Sequence, residues 1–249
     1  MSKTSPQKTA IVTGAALRIG TAIARELHDM GMYVVIHFNS STTAANTLAQ
    51  ELNAVRPDSA HILQHDLRKP AACRALIKQA YIINKRIDVL INNASVFYPT
   101  PVQKFSTSDW DELMNVNLKA PLFLAQAAAP YLAKSRGSII NLTDIYADQP
   151  LENHIIYNIS KAGLVMLTKS LAKELGPDIR VNAISPGAIF WHDNMNESGK
   201  SNILARTTLK QQGMAKDISN AVRYLIDYAD YTTGQILVID GGRTLYSQT

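Results

Sequence analysis

The stretch TAIVTGAALRIGTAIARELHDMG, residues 9–31, determines the fold class. It begins as an apolar run that ends at Gly14, turns through a short loop to Gly20, and continues as an amphipathic segment. A turn this tight requires Gly, and a helix that starts here presents its first N–H groups at the turn, where they suit an anion. The stretch therefore predicts a strand, a phosphate-binding loop and a helix.

Six further apolar runs follow, and amphipathic segments such as TTAANTLAQELNAV and DISNAVRYLIDYA lie between them. Continuous hydrophobicity is typical of strands that are buried on both faces of a parallel sheet. The alternation predicts an α/β fold: a single doubly wound Rossmann-type domain over residues 1–249, with a seven-stranded parallel sheet flanked by helices. The seven runs are TAIVTG (9–14), YVVIHF (33–38), AHILQHDL (60–67), DVLINNAS (88–95), GSIINLTD (137–144), RVNAISPG (180–187) and QILVIDGG (235–242).

Composition argues against several classes of protein. Of the 249 residues, 46% are hydrophobic and 18% are charged, as in soluble globular proteins. No apolar run is long enough for a membrane span and no signal peptide is evident, so we expect a cytoplasmic protein without a membrane partner. The net charge is +5, but the basic residues are scattered among acidic ones, which argues against a nucleic-acid partner. The single Cys73 lies in a helical segment, where we expect it to be buried.

The segment 188–215 interrupts the alternation, because it is long and polar and follows the sixth apolar run. Open α/β sheets bind ligands beyond the carboxyl ends of their strands, so we interpret this segment as a substrate lid. It includes the bulky residues Phe190, Trp191 and His192. His192 has no second ligand at a useful spacing, and the sequence predicts no metal site.

The second and third strand ends indicate the type of dinucleotide. Sites for NAD usually have an Asp or Glu after the second strand to bond the ribose 2′-hydroxyl, whereas this chain reads HFNSST. The missing acid and the charge of Arg18 predict a 2′-phosphate, hence NADP(H), although ordinary turn chemistry explains an Asn-Ser-Ser run equally well. Asp66, after the third strand, either accepts from the adenine amino group or caps the next helix.

A catalytic pair is present in NLTDIYADQPLENHIIYNISKAG, residues 141–163. Tyr157 and Lys161 are four residues apart, so they share one face of a helix. A phenol has a pKa of about 10, and an adjacent ammonium favours the phenolate, so we expect a lowered pKa for Tyr157 and proton exchange during turnover. Asn117 either binds a backbone carbonyl, holds water near Lys161 or bends its helix.

Taken in order, these motifs resemble those of the short-chain dehydrogenase/reductase family over essentially the whole chain. The resemblance implies an oxidoreductase with a nicotinamide cofactor, and commonly a homotetramer, which the Ala- and Leu-rich helices at 106–134 and 153–175 would support. The family's usual catalytic Ser is replaced by Asp144. The matching motifs are the turn Gly14/Gly20, Asn92–Ala94, Asn117, Tyr157/Lys161 and Pro186–Gly187.

A closer resemblance is to the pteridine reductases of that family, in which Asp, Tyr and Lys replace Ser, Tyr and Lys. An ionised Asp144 would repel the oxyanion of a carbonyl reduction, whereas it can accept from the N–H groups of a pterin or relay a proton. The resemblance implies NADPH-dependent reduction of dihydropterins, with dihydrofolate as an additional candidate substrate. It also implies that Phe97 stacks on the pterin and that Ser95 and Arg18 contact both cofactor and pterin.

Two other functions are open. A carbonyl reductase acting on a 3-oxoacyl thioester fits the fold but does not explain Asp144 and Phe97, and a non-catalytic NADP(H)-binding module would not need Tyr157 and Lys161. The predicted catalytic residues are Asp144, Tyr157, Lys161 and Asn117, and the predicted substrate-binding residues are Arg18, Ser95, Phe97, Asp144 and Tyr157. The predicted cofactor-binding residues are Gly14, Arg18, Ile19, Gly20, Asn39, Ser40, Ser41, Asp66, Leu67, Asn93, Ala94, Ser95, Tyr157, Lys161, Pro186 and Gly187.

Overall fold

A computed structural model describes residues 7–191 and 195–246, so His192 lies outside the described residues. Each of the seven apolar runs forms a strand, and all seven pair in parallel within one sheet that is flanked by helices, which confirms the predicted fold class. The strands are β1 (Thr9–Val12), β2 (Tyr33–Phe38), β3 (Ala60–Gln64), β4 (Val89–Asn92), β5 (Ser138–Leu142), β6 (Arg180–Pro186) and β7 (Ile236–Ile239). The α-helices are α1 (Arg18–Asp29), α2 (Thr42–Val55), α3 (Pro70–Asn84), α4 (Thr107–Met114), α5 (Ala120–Ser135), α6 (Ile155–Leu175), α7 (Glu197–Ala205) and α8 (Ala215–Asp227).

The sheet is buried on both faces, which explains why its strands read as continuous apolar runs. Successive side chains of a strand point to opposite faces. In β1, Ala10 and Val12 pack into the cluster that α1, α2 and α8 complete, whereas Ile11 packs against α3 and α5. Cys73 of α3 belongs to this second cluster and is fully buried, as expected from the sequence.

The strand order β3-β2-β1-β4-β5-β6-β7 places the point of reversal between β1 and β4. The chain moves outward from β1 through β2 to β3, then returns to the other side of β1 and continues to β7. The loops that follow β1 and β4 therefore diverge at their carboxyl ends and leave a crevice, which is the ligand position in sheets of this type.

Two segments differ in detail from the expectation. The predicted helix at 106–134 is interrupted, because a π-helical turn at Asn115–Lys119 separates α4 from α5 and contains Asn117. Such turns occur frequently at functional sites. The segment 188–215 contains a short helix, α7, rather than a continuous loop. Within the described ranges, no helix is long and apolar enough to cross a membrane.

Candidate active site

A cleft of about 990 Å³ opens at the carboxyl ends of the strands, at the large end of the range for ligand pockets. Its walls come from the loops after β1 to β6, the start of α6 and the segment around α7. Every predicted site residue lines this cleft except Gly20 and Asn117, which lie behind its wall. The structure thus brings residues that are far apart in the sequence into one site.

The loop after β1 requires glycine at both predicted positions. Gly14 has a φ of 61°, and a Cβ there would lie 2.9 Å from the Cα of Ala94. A Cβ on Gly20 would overlap the carbonyl oxygen of Gly14 and lie 2.7 Å from Nδ2 of Asn93. Because the loop packs this closely, the start of α1 is held against the end of β4, and its N–H groups border the cleft. The arrangement suits a pyrophosphate.

Thr13 and Asn93 fasten this loop to the neighbouring strand end. The hydroxyl of Thr13 donates to the carbonyl of Ile91 and accepts from the N–H groups of Asn93 and Ala94, at 2.9 and 3.0 Å. The amide of Asn93 donates to the carbonyls of Thr13 and Gly14. Asn93 lines the cleft, and its side chain also supports the loop from within, whereas its predicted contact with the cofactor stays a prediction.

His37 is a further support that sequence reasoning missed. The N–H of Gly14 donates to its Nδ1 at 3.2 Å, and its Nε2 donates to the carbonyl of His65 at 3.0 Å. Burial lowers the pKa of His37 to about 4, so the ring stays neutral and keeps the lone pair that Gly14 uses. The available signal was an imidazole within an otherwise apolar strand, YVVIHF.

The predicted 2′-phosphate region lies where β2 ends. Asn39, Ser40 and Ser41 line the cleft there, and none of them is acidic. Arg18 also lines the cleft, at the start of α1 with a left-handed φ of 52°. A non-glycine residue in this conformation costs free energy, and such residues cluster at ligand-binding sites.

Asp66 is committed to an ion pair rather than to a helix cap. Its carboxylate accepts two hydrogen bonds from the guanidinium of Arg68, at 2.9 and 3.0 Å, and this contact lowers the pKa of Asp66. The helix α3 begins after Lys69, so Asp66 is not its capping residue. The adenine contact of Asp66 stays a prediction.

Three of the four predicted catalytic side chains meet at the end of β5. The hydroxyl of Tyr157 donates to Oδ2 of Asp144 at 2.7 Å, and the backbone N–H of Tyr146 donates to Oδ1 at 3.0 Å. The ammonium of Lys161 donates to the carbonyl of Leu142 at 2.9 Å and lies 5.6 Å from the centre of the Tyr157 ring. Tyr157 and Lys161 are 4% and 3% exposed, so both are almost fully withdrawn from water.

This burial reverses the expected effect on Tyr157. Burial and the adjacent Asp144 raise the pKa of Tyr157 well above its ordinary value, so the expectation of a lowered pKa was wrong for this arrangement. Burial also lowers the pKa of Lys161 to about 8 and raises the pKa of Asp144. Each group shifts toward its neutral form because charge is costly away from water. Tyr157 is therefore a protonated phenol, as a proton donor must be.

Asn117 binds backbone and side-chain groups behind the cleft. Its Oδ1 accepts from the backbone N–H of Val96 and the hydroxyl of Ser95, at 2.8 and 3.1 Å. Its Nδ2 donates to the carbonyl of Val96 and the hydroxyl of Ser160, at 2.9 and 3.1 Å. Of the predicted alternatives, the backbone contact is present and the residue also lies in the π-helical turn. Asn117 thereby fixes the loop after β4 to α6.

Aromatic rings form the remaining wall. Phe97 stacks on His154 at a centroid distance of 4.7 Å and meets the Tyr157 ring edge-on at 4.6 Å. His154, Tyr146 and Arg243 line the cleft although sequence reasoning did not select them. Their only signal was proximity in the chain to Asp144, Tyr157 and the last strand.

Comparison with known proteins identifies the family of this chain. A family model described as enoyl-(acyl carrier protein) reductase matches residues 14–244. Pteridine reductase 1 of Leishmania tarentolae is 36% identical, with 98% of this chain and 98% of that protein covered. The 3-oxoacyl-(acyl-carrier-protein) reductases FabG of Staphylococcus aureus and Rickettsia conorii are 33% and 34% identical, over 94% of this chain and 97% and 96% of theirs. The chain therefore belongs to the short-chain dehydrogenase/reductase family of oxidoreductases that use a nicotinamide cofactor, as its motifs predicted.

Proposed function

We propose that this oxidoreductase is an NADPH-dependent pterin reductase that converts dihydropterins to tetrahydropterins. The observation that carries the proposal is the 2.7 Å hydrogen bond from Tyr157 to the carboxylate of Asp144 within the cleft. A carbonyl reduction develops negative charge on oxygen, which a neighbouring carboxylate destabilises. Reduction of a C=N bond instead requires a proton on nitrogen, which a Tyr–Asp pair can supply.

In this proposal the chain's residues hold and move one proton. Tyr157 carries the proton on its hydroxyl, and Asp144 accepts a hydrogen bond from this hydroxyl until the proton is transferred. Lys161 keeps a positive charge next to the Tyr157 ring, which stabilises the negative charge that develops on the phenol oxygen as its proton leaves. The 3-10 turn Ile145–Ala147 holds Asp144 in place through the N–H of Tyr146.

In this proposal the cofactor would lie along the glycine-rich wall of the cleft. Gly14 and Gly20 would hold the pyrophosphate with the N–H groups that begin α1, and Arg18, Asn39, Ser40 and Ser41 would hold the 2′-phosphate. Leu67, Ala94, Pro186 and Gly187, which also line the cleft, would enclose the rest of the dinucleotide. Bound NADPH supplies the hydride for the reaction.

Phe97 would bind the flat ring of the substrate. Its edge-on contact with Tyr157 and its stack on His154 fix the plane of the phenyl ring. A fixed aromatic face suits a heteroaromatic ring such as a pterin better than a flexible acyl chain, because stacked rings gain free energy beyond their buried area. Ser95 and Arg18 would contact both the pterin and the cofactor. The segment 188–215 would serve as the lid, and the homotetramer stays a prediction.

Parallel assays with different substrates test the proposal. We expect NADPH oxidation with dihydrobiopterin or dihydromonapterin to have a kcat/KM at least about tenfold above that with a 3-oxoacyl thioester, since a site built to pair polar groups discriminates strongly. The thioester is the relevant competitor because the FabG relatives carry that activity in their name. A higher kcat/KM with the thioester would contradict the proposal and identify a carbonyl reductase, whereas cofactor binding without any turnover would identify a non-catalytic module.

Cofactor selectivity is a separate expected result. NADPH should bind at least about tenfold more tightly than NADH, because an Arg–phosphate hydrogen bond contributes a few kcal/mol when partly desolvated. Ser40→Asp should invert this preference by placing a carboxylate where the 2′-phosphate binds. Fluorescence titration with both cofactors measures the dissociation constants. Thr47→Asp, which adds the same charge on an exposed position of α2, is the control. Equal affinities of the unmodified protein for the two cofactors would refute the assignment.

A further inference from the structure

The C-terminal turn that carries Arg243 is held rigidly beside the catalytic loop. The carboxylate of Asp240 accepts from the N–H groups of Gly242 and Thr244, each at 2.8 Å, and from the Thr244 hydroxyl at the same distance. The amide of Gln149 donates to the carbonyl of Thr244 at 2.7 Å, which ties the turn to the segment that follows Asp144. These hydrogen bonds fix the backbone on both sides of Arg243.

The guanidinium of Arg243 faces the cleft with only part of its donor capacity used. Its Nη1 donates to the carbonyl of Ile203 in α7 at 3.2 Å. Tyr146 lines the same cleft, and the positive charge of Arg243 opposes the rise that burial causes in the pKa of Tyr146. A guanidinium has five N–H donors, so further donors stay available.

Arg243 also lacks a negative partner among the residues that the structure describes. No carboxylate in ranges 7–191 and 195–246 is within ion-pair distance of it. A half-buried cation without a counter-ion is costly, and a ligand anion would offset that cost. The planar fork of a guanidinium matches the two oxygens of a carboxylate.

We infer that Arg243 determines substrate specificity by binding a carboxylate on the side arm of the substrate. This inference rests on the proposed pterin reductase function and names the substrate class further: reduced pterins whose arm ends in a carboxylate, as in dihydrofolate. Phe97 and Asp144 then bind the ring, while Arg243, between Tyr146 and α7, binds the arm. A pterin with a neutral hydroxylated arm does not use this contact.

Steady-state kinetics with two substrates test the inference on the full-length protein. Arg243→Gln keeps a donor for the Ile203 carbonyl but removes the charge. We expect it to lower kcat/KM for dihydrofolate by about 10- to 100-fold, mainly through KM, as the loss of a charge-assisted hydrogen bond predicts. Its kcat/KM for dihydrobiopterin should change by less than about threefold, within the range of surface substitutions. Arg243→Lys should recover part of the dihydrofolate activity, because the charge is restored without the planar fork.

Salt and a matched substitution complete the test. KM for dihydrofolate should rise with ionic strength in the unmodified protein and rise less in Arg243→Gln, because screening acts on the charge pair. Lys200→Gln removes one positive charge from α7, where Lys200 pairs with Glu197. It should leave kcat/KM for both substrates unchanged.

If Arg243→Gln lowered kcat/KM equally for both substrates, Arg243 would only position the lid, and the inference would be overturned. So would dihydrobiopterin turnover without dihydrofolate turnover in the unmodified protein. If the unmodified protein reduced neither pterin, the proposed function itself would fail, and that result is distinct from the other two.

Discussion

Tyr157→Phe is expected to abolish nearly all reductase activity while leaving the fold and the cofactor affinity intact. The substitution removes the hydroxyl that donates to Asp144 at 2.7 Å and keeps the ring that contacts Phe97. General acid–base catalysis typically contributes a factor of about 100 to 10,000 to the rate. We therefore expect kcat to fall by about 100-fold or more. The decrease should appear in kcat more than in KM, because the hydroxyl acts on the proton that moves in the transition state.

Three measurements identify the cause of the loss. Thermal unfolding and NADPH titration should show that Tyr157→Phe is folded and binds the cofactor with little change. Tyr231→Phe removes a hydroxyl from a fully exposed ring and should keep full activity. Retention of more than about a tenth of the normal kcat by Tyr157→Phe would show that another group donates the proton.

Asp144→Ser is expected to produce the second-largest loss. The Ser restores the hydroxyl that carbonyl reductases of the family use, but it removes the carboxylate that accepts from Tyr157. Pterin turnover should decrease by about 100-fold or more, in the range of one acid–base contribution. Asp148→Ser, an exposed carboxylate four residues further along the same loop, is the matched control and should leave turnover unchanged.

The double variant Asp144→Ser, Tyr157→Phe separates a joint function from two independent ones. If both residues move the same proton, the double variant should lose little more activity than Tyr157→Phe alone, because residues that act as a unit are not additive. Unchanged pterin turnover in Asp144→Ser would mean that the carboxylate only shapes the loop. A gain of 3-oxoacyl reduction in that variant would link Asp144 to the choice of substrate.

The pH dependence of kcat/KM gives a second test of the function of Asp144. When Asp144 is ionised, the proton of Tyr157 points toward it, as the hydrogen bond shows. When Asp144 is protonated, it can donate to the phenol oxygen and release the Tyr157 proton toward the substrate. Burial raises the pKa of Asp144, so its protonated form persists to a higher pH than that of an ordinary carboxyl group. We expect kcat/KM for the pterin to fall as pH rises through that pKa, and this decline should disappear in Asp144→Ser.

The sequence predicted the fold well because a sheet buried on both faces leaves a strong local pattern. Each strand reads as an apolar run, and the topology follows from the alternation with helices. The residues lining the cleft were predictable for a related reason: they follow strand ends, which a parallel sheet gathers at one edge. The π-helical turn at Asn115–Lys119 was not predictable in this way, because one extra residue in a helical turn leaves no change in periodicity that a single sequence reveals.

The residues that were missed act through contacts between distant segments. His37 supports Gly14 from within a strand, and its buried position resembles that of an ordinary core residue. Arg243 lines the cleft in a turn that Asp240 and Gln149 hold beside the catalytic loop. The pKa of Tyr157 was misjudged for the same reason, since spacing on a helix indicates a neighbouring charge but not the depth at which both groups are buried.

The attachment of Thr13 to Asn93 and Ala94 has a consequence during protein synthesis. These partners lie 80 and 81 residues further along the chain, so the glycine-rich loop cannot be completed when β1 leaves the ribosome. At about 5–20 residues per second, the missing partners follow at least about 4 s later. Until then β1 is an open edge that carries unpaired N–H and C=O groups, a surface prone to aggregation. The nascent chain therefore exposes this edge of β1 until β4 arrives on its free side.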